Sequence, residues 1–127
     1  YLSGLSYGGI LSSEIAALDP SKYASLVTMA GTFSDSALVS KCSRIAASNI
    51  TVWCITNNDD PVIPSSTSIN FITTIRTFNP PVTPRLTLLN ANVHDCWTQS
   101  INPSFKENNM NIYEFMLQYH RLPAISY

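Results

Sequence analysis

The stretch YLSGLSYGG, residues 1–9, decides how the rest of the chain is interpreted. It contains the pattern G-x-S-x-G, in which Ser6 lies between Gly4 and Gly8. A strand-like stretch precedes the serine and a helix-like pattern follows it. A tight strand-to-helix turn strains the backbone at its tip and lifts the serine hydroxyl above the sheet edge, while the glycines make room where strand and helix nearly touch. An ordinary turn serine in a serine-rich chain would give the same five letters, so the remaining sequence must distinguish the two interpretations.

Downstream of this stretch, short apolar runs alternate with helical patterns. Continuous or β-branched apolar runs predict buried strands at residues 26–31, 50–56 and 85–89. Apolar residues at helical spacing predict helices at residues 12–18, 36–47, 65–78 and 111–120. Pro20 is expected to stop the first helix, and Ser65 or Ser66 to cap the third. This order predicts an α/β fold with a parallel sheet and right-handed crossovers, in which ligands lie beyond the carboxyl ends of the strands.

The residues that directly follow the predicted strands carry the candidate chemistry. Ser6 follows the first strand, Asp59 and Asp60 follow the third, and His94 follows the fourth. A histidine can take the proton of a serine hydroxyl, and a carboxylate can hold that histidine in the required tautomer. Each residue alone is explained equally by turn or loop chemistry. Serine, aspartate and histidine in this order, each after its own parallel strand, nevertheless match the chain order of a hydrolase triad. Asp95 is expected to be a loop or cap carboxylate, because adjacent side chains point apart.

Four motifs in order, YLSGLSYGG, DDPVIP, VHDCW and NIYEFMLQYHR, resemble the α/β-hydrolase superfamily over nearly the whole chain. They are most similar to dienelactone-hydrolase-like and phospholipase/carboxylesterase-type serine esterases, including the prolyl-oligopeptidase-like branch. The resemblance implies Ser6 as the nucleophile and His94 as the base. It implies Asp60 rather than Asp59 as the acid, because the family's acid precedes a proline by four residues. The turn at the serine places the backbone N–H of Tyr7 as an oxyanion donor.

The chain departs from this family in two loops and in its extent. Thr56 and Asn57 stand where the family often has His-Gly, and Val93 stands where it usually has glycine before the histidine. The family's nucleophile strand is the fifth of eight. Residues 1–127 are therefore expected to form a single partial domain, the carboxyl-terminal half with strands five to eight and flanking helices, without the amino-terminal half. The first strand would then be an unpaired edge, completed by the upstream half of the domain or by edge-to-edge self-association.

The expected function is that of a carboxylesterase-type serine hydrolase, which acts on small-molecule esters through an acyl-enzyme. Tyr7 and Trp97, beside the nucleophile and the base, are candidates for lining the substrate pocket, although packing of large aromatic residues explains them equally well. The alternative is a non-catalytic or incomplete module of the same fold that serves assembly or binding. A peptidase could use the same triad, but the sequence offers no acidic pair to bind a substrate's amino terminus.

Composition limits the other classes of function. The 127 residues suit one domain, and a net charge of −1 with 12% charged residues leaves no basic surface for nucleic acid or anionic lipid. No apolar run approaches the roughly 18 residues of a membrane span. The polar positions are filled by Ser, Thr and Asn, which favours a secreted or periplasmic protein by a small margin. Cys42, Cys54 and Cys96 are odd in number and lack a C-x-x-C spacing, so we expect no metal or cofactor site and predict free, buried thiols.

Overall fold

Four parallel strands form the centre of the structure. The computed structural model describes residues 1–121. The strands lie in the order β1-β2-β3-β4. Their bounds are β1 (Leu2–Leu5), β2 (Ser25–Met29), β3 (Thr51–Asn57) and β4 (Arg85–Leu89). All three strand pairs are parallel, so the carboxyl ends of the strands meet at one edge of the sheet.

Helices connect consecutive strands and cover both faces of the sheet. The helices are α1 (Tyr7–Leu18), α2 (Leu38–Ala47), α3 (Ser65–Thr77), α4 (Trp97–Ser100) and α5 (Ile112–Leu117), with a 3₁₀ turn at Pro20–Lys22. Buried residues of α1, α2 and α3 pack on one face of the sheet. Buried residues of α5 and of the segment at the start of α4 pack on the other face. None of the helices among residues 1–121 is long and apolar enough to cross a membrane.

The two inner strands explain why both faces of the sheet carry a core. Every residue of β2 and β3 is buried. Because successive side chains of a strand point to opposite faces, Val52 packs among the residues of the first core and Trp53 among those of the second. The same alternation separates Leu26 from Val27 in β2. The continuous apolar character of these strands is what a sheet covered on both faces requires.

The predicted alternation of strands and helices is confirmed, with corrections at several boundaries. Helix α1 begins directly after Ser6 rather than at residue 12, and α5 covers only part of the predicted 111–120 helix. The 3₁₀ turn and the short α4 have no counterpart in the prediction. The predicted serine cap of α3 is wrong. Pro64 occupies the cap position, and the Ser65 hydroxyl donates instead to the backbone carbonyl of Asn58 at 2.9 Å.

The outer edge of β1 is the open side of the sheet. Among the described residues, β1 pairs only with β2. Helix α1, which follows this strand, exposes large apolar side chains, with Leu11 60% and Leu18 72% exposed. An open strand edge beside apolar helix positions is a surface on which further chain can pair.

Candidate active site

Ser6 lies at the tip of the turn between β1 and α1. Its backbone has φ 54° and ψ −123°, a strained conformation for a residue with a side chain. The Ser6 N–H donates to the Met29 carbonyl at 2.8 Å, which ties the turn to the end of β2. Gly4 makes the turn possible, because a Cβ atom at Gly4 would lie 2.1 Å from the Gly8 carbonyl oxygen. The strand and the helix therefore touch through backbone alone, and the serine hydroxyl extends from the carboxyl edge of the sheet.

Gly31 supports the same turn from the second strand. A Cβ atom at Gly31 would lie 2.7 Å from the Ser6 carbonyl oxygen. A Cβ atom at Gly9 would lie 2.5 Å from the Gly31 carbonyl oxygen. The backbone of α1 thus approaches the loop after β2 so closely that side chains are excluded at both positions. The sequence analysis did not single out Gly31, whose role depends on a contact that is distant along the chain.

Ser6, His94 and Asp60 form one continuous line of hydrogen bonds. The Ser6 Oγ and the His94 Nε2 are 2.8 Å apart, and the His94 Nδ1 and the Asp60 Oδ2 are 2.7 Å apart. The Asp60 side chain is fully buried, whereas that of His94 is 18% exposed. Because a carboxylate can only accept hydrogen bonds, the network assigns the imidazole proton to Nδ1 and leaves Nε2 free to accept the serine proton. The sequence proposed these three residues together, and the structure joins them through His94.

The backbone of its own loop fixes the Asp60 carboxylate. Its second oxygen, Oδ1, accepts the N–H of Val62 at 2.8 Å and the N–H of Ile63 at 3.0 Å. Both oxygens therefore have defined partners, and the carboxylate cannot rotate without breaking hydrogen bonds in a buried site. The neighbouring Asp59 is exposed and contributes its backbone N–H to Ala91 at 3.2 Å. Of the two aspartates that the sequence left open before the resemblance was considered, only Asp60 contacts the imidazole.

Asp95 is the loop carboxylate that the sequence predicts. Its Oδ2 accepts the Thr98 hydroxyl at 2.7 Å, and its Oδ1 accepts the Thr98 N–H at 2.9 Å. The hydroxyl contributes most, followed by the backbone N–H, to lowering the pKa of Asp95 from its ordinary value. The Asp95 side chain is thus hydrogen-bonded to Thr98 at the start of α4 and is exposed.

The two aromatic residues beside the triad differ in their surroundings. The Trp97 ring meets the His94 ring edge to face, with centroids 5.1 Å apart, and is partly buried against the second core. Tyr7 is 83% exposed. As the first residue of α1, Tyr7 has a backbone N–H without an intrahelical partner, next to the serine hydroxyl. Trp97 therefore borders the imidazole, whereas Tyr7 stands at the open side of the serine.

Asn57, the last residue of β3, belongs to the site although the sequence analysis treated it only as a departure from a family pattern. Its side chain is buried, and its Nδ2 donates to the Val93 carbonyl at 2.7 Å and to the Asp95 carbonyl at 3.2 Å. These carbonyls flank His94 on both sides. An asparagine at the end of a strand, among other turn residues, gives no sequence signal that distinguishes it from ordinary turn chemistry.

The cysteine thiols do not take part in this line of hydrogen bonds. Cys42, Cys54 and Cys96 are all free and buried, as predicted. Burial raises the pKa of Cys96, which lies two residues after His94, to about 12. Within residues 1–121, no group of three or more His, Cys, Asp or Glu residues could hold a metal ion. At neutral pH these thiols are therefore protonated as well as buried.

Comparisons with known proteins provide no match. No protein-family model matches the chain, and no curated protein or solved structure is significantly similar to it. The functional interpretation therefore depends on the geometry of the site and on the motifs of the sequence.

Proposed function

We propose that this chain is part of an α/β-hydrolase and acts as a carboxylesterase-type serine hydrolase on small-molecule esters. The observation that carries the proposal is the line of two hydrogen bonds, 2.8 Å and 2.7 Å long, from Ser6 through His94 to Asp60. A free serine hydroxyl is a weak nucleophile, and an adjacent base that is itself oriented by a third group is the arrangement that activates it.

The reaction follows from the positions of the protons. The Ser6 Oγ attacks the ester carbonyl carbon while its proton moves to the His94 Nε2, which gives a tetrahedral oxyanion and an imidazolium. The Asp60 carboxylate stabilises that imidazolium. When the tetrahedral species collapses, the C–O bond to the alcohol breaks and the alcohol leaves with the proton from Nε2. Water then attacks the acyl-enzyme with the same base, which releases the acid and regenerates the serine. General-base catalysis of this kind contributes roughly 10²–10⁴-fold in rate.

Stabilisation of the oxyanion is shared between this chain and a segment that completes the sheet. The Tyr7 N–H, at the amino end of α1, is the donor that residues 1–121 supply. One donor of an oxyanion hole is worth about 10²–10³-fold in rate. The free outer edge of β1 lies next to the serine turn. We therefore propose that the upstream half of the domain, or a second copy paired edge to edge, covers this strand and supplies the second donor.

Labelling with a fluorophosphonate probe tests the nucleophile directly. The polypeptide that contains this chain is expected to be labelled, and Ser6→Ala is expected to abolish the labelling. Ser36→Ala is the matched control, because Ser36 is exposed and lies far along the chain from the triad residues. Labelling that persists in the Ser6→Ala variant would remove Ser6 from its proposed role.

A non-catalytic role in assembly or binding is the second candidate. The open edge of β1 beside the exposed apolar residues of α1 favours it. Turnover of p-nitrophenyl acetate separates the two candidates. Turnover by the complete polypeptide supports the hydrolase. The absence of both turnover and labelling in the complete polypeptide supports the assembly module.

A further inference from the structure

We propose that Asn57 is a positioning residue that holds His94 in line between Ser6 and Asp60. This inference rests on the proposed hydrolase function and assigns to one buried carboxamide the task of orienting the base. Within residues 1–121, the hydrogen-bond partners of the Asn57 side chain include neither the Ser6 hydroxyl nor the Asp60 carboxylate. Its effect on the reaction is therefore exerted through the histidine alone.

The position of Asn57 in the sheet explains how it reaches the histidine loop. It is the last residue of β3 and pairs with Leu89, the last residue of β4. The side chain is only 2% exposed, so it lies beneath the loop that leaves β4 and carries His94. A buried polar side chain at this place costs free energy unless its donors are satisfied.

The two N–H groups of the Asn57 carboxamide are both used, and both partners adjoin the histidine. One is the Val93 carbonyl at 2.7 Å, and the other is the Asp95 carbonyl at 3.2 Å. A carboxamide nitrogen has two N–H groups, and here each N–H group has one carbonyl acceptor, one before and one after His94. The Val93 carbonyl belongs to the peptide unit that precedes His94, and the Asp95 carbonyl belongs to the unit between Asp95 and Cys96. The two hydrogen bonds therefore hold the chain on both sides of His94 and restrict the direction of its Cα–Cβ bond.

The other contacts between the two loops hold a different part of the chain. The Asn58 N–H donates to the Leu89 carbonyl at 2.9 Å, and the Ala91 N–H donates to the Asn58 Oδ1 at 3.1 Å. The backbone hydrogen bonds that join the loops within residues 1–121 extend no further than Ala91. The backbone on either side of His94 is thus held to the end of β3 by Asn57.

Two substitutions of Asn57 remove different numbers of the hydrogen bonds that its side chain donates to the Val93 and Asp95 carbonyls. Asn57→Leu keeps the branching and the number of side-chain heavy atoms but donates no hydrogen bond, whereas Asn57→Ser is smaller and can reach one carbonyl at most. With p-nitrophenyl acetate as substrate and the complete polypeptide as enzyme, we expect kcat to fall up to about 10²-fold in Asn57→Leu, because a misplaced catalytic group costs that much. The decrease in Asn57→Ser should be intermediate, and KM should remain within about twofold for both.

A readout independent of activity is the tautomer of His94, measured from the ¹⁵N shifts of its ring. The unmodified protein should carry the proton on Nδ1, and both variants should shift towards a mixture of tautomers. Asn111→Leu is the matched control, because Asn111 is another buried asparagine but bonds to Pro103 and Glu114. It should lower the free energy of unfolding without changing the His94 ring shifts.

The results separate the two proposals. If the unmodified polypeptide shows no turnover, the proposed function fails, and the ring shifts of His94 still decide the role of Asn57. Unchanged ring shifts in Asn57→Leu, or a kcat decrease no larger than that of Asn111→Leu, would overturn the positioning role. Altered ring shifts in the Asn57 variants with unchanged shifts in Asn111→Leu would support it even if stability falls equally in both.

Discussion

Replacing Gly4 by alanine is expected to force β1 and α1 apart at the turn that carries Ser6. The new Cβ atom would lie 2.1 Å from the Gly8 carbonyl oxygen, 2.3 Å from the Gly8 carbonyl carbon and 2.6 Å from the Ser12 Oγ. The Ser12 hydroxyl already donates to that same carbonyl at 2.6 Å. Two of the three atoms belong to the backbone of α1, so no side-chain rotation relieves the overlap.

The size of the effect follows from these distances. A carbon atom needs more than about 3 Å from a carbonyl oxygen, so the helix has to move by about 1 Å relative to the strand. Overpacking of this kind costs about 1–3 kcal/mol, and a contact against backbone belongs at the upper end, near 3 kcal/mol. Urea unfolding followed by the fluorescence of the buried Trp53 measures the change in the free energy of unfolding. Displacement of Ser6 should slow fluorophosphonate labelling in the same variant.

Gly8→Ala is the matched control within the same turn. No atom lies within 4 Å of a Cβ atom built at Gly8, and the residue is inside α1. Alanine is favoured over glycine in a helix by about 0.5–1 kcal/mol, so this variant should be more stable than the parent. The Gly4→Ala and Gly8→Ala substitutions should therefore change the free energy of unfolding in opposite directions. A Gly4→Ala protein within about 0.5 kcal/mol of its parent would refute the close approach of β1 and α1, since surface substitutions change stability by no more than that.

Three further predictions concern the acid, a partly buried arginine and the thiols. Asp60→Asn should lower kcat for p-nitrophenyl acetate by about 10⁴-fold with little change in KM, because the amide no longer selects the tautomer of the base; unchanged kcat would exclude Asp60 as the acid. The Arg121 guanidinium donates to three backbone carbonyls, so Arg121→Lys should lower the free energy of unfolding by about 1–3 kcal/mol in urea, and an unaltered urea midpoint would contradict this. Burial raises the pKa of Cys42, Cys54 and Cys96 from the usual 9.0 to about 12. These thiols should therefore react with Ellman's reagent at pH 8 only after unfolding. Their stabilising contribution should be complete below pH 9 and lost as the pH rises towards 12, by about 1.4 kcal/mol per pH unit for each thiol.

The strands and the candidate site were predictable because both follow from local patterns. The run RLTLL predicts β4 with the bounds Arg85–Leu89 that the structure has, since it is short, apolar and preceded by a proline. The rule that ligands lie beyond the carboxyl ends of parallel strands then selected Ser6, His94 and the pair Asp59 and Asp60. The resemblance to the α/β-hydrolase superfamily favoured Asp60 within that pair.

The features that were missed depend on contacts between distant parts of the chain. Asn57 bonds to carbonyls 36 and 38 residues away, and its partners are backbone atoms that carry no residue identity. The Ser65 hydroxyl donates to the Asn58 carbonyl rather than capping α3, because the loop after β3 brings that acceptor close. Propensity and periodicity describe neighbours along the chain, so they cannot assign a side chain whose partner is supplied by the tertiary structure.

The end of β3 determines the geometry of the site more than the strand that precedes the histidine. Neighbouring strands lie about 4.8 Å apart, so β1 and β3 are separated by about 10 Å. The hydrogen bonds between Ser6 and Asp60 run through His94. His94, which follows β4, bridges them, so its imidazole lies between the residues that follow β1 and β3. The five residues 90–94 could extend up to about 17 Å, so the loop has more length than it needs and length alone does not place the imidazole. The contacts that take up this excess come from Asn57, Asn58 and Asp59, at the end of the strand that the acid follows. His94 follows β4 but is positioned by residues at the end of β3. The same end of β3 leads into Asp60, so the orientation of the base and the position of the acid depend on one part of the structure.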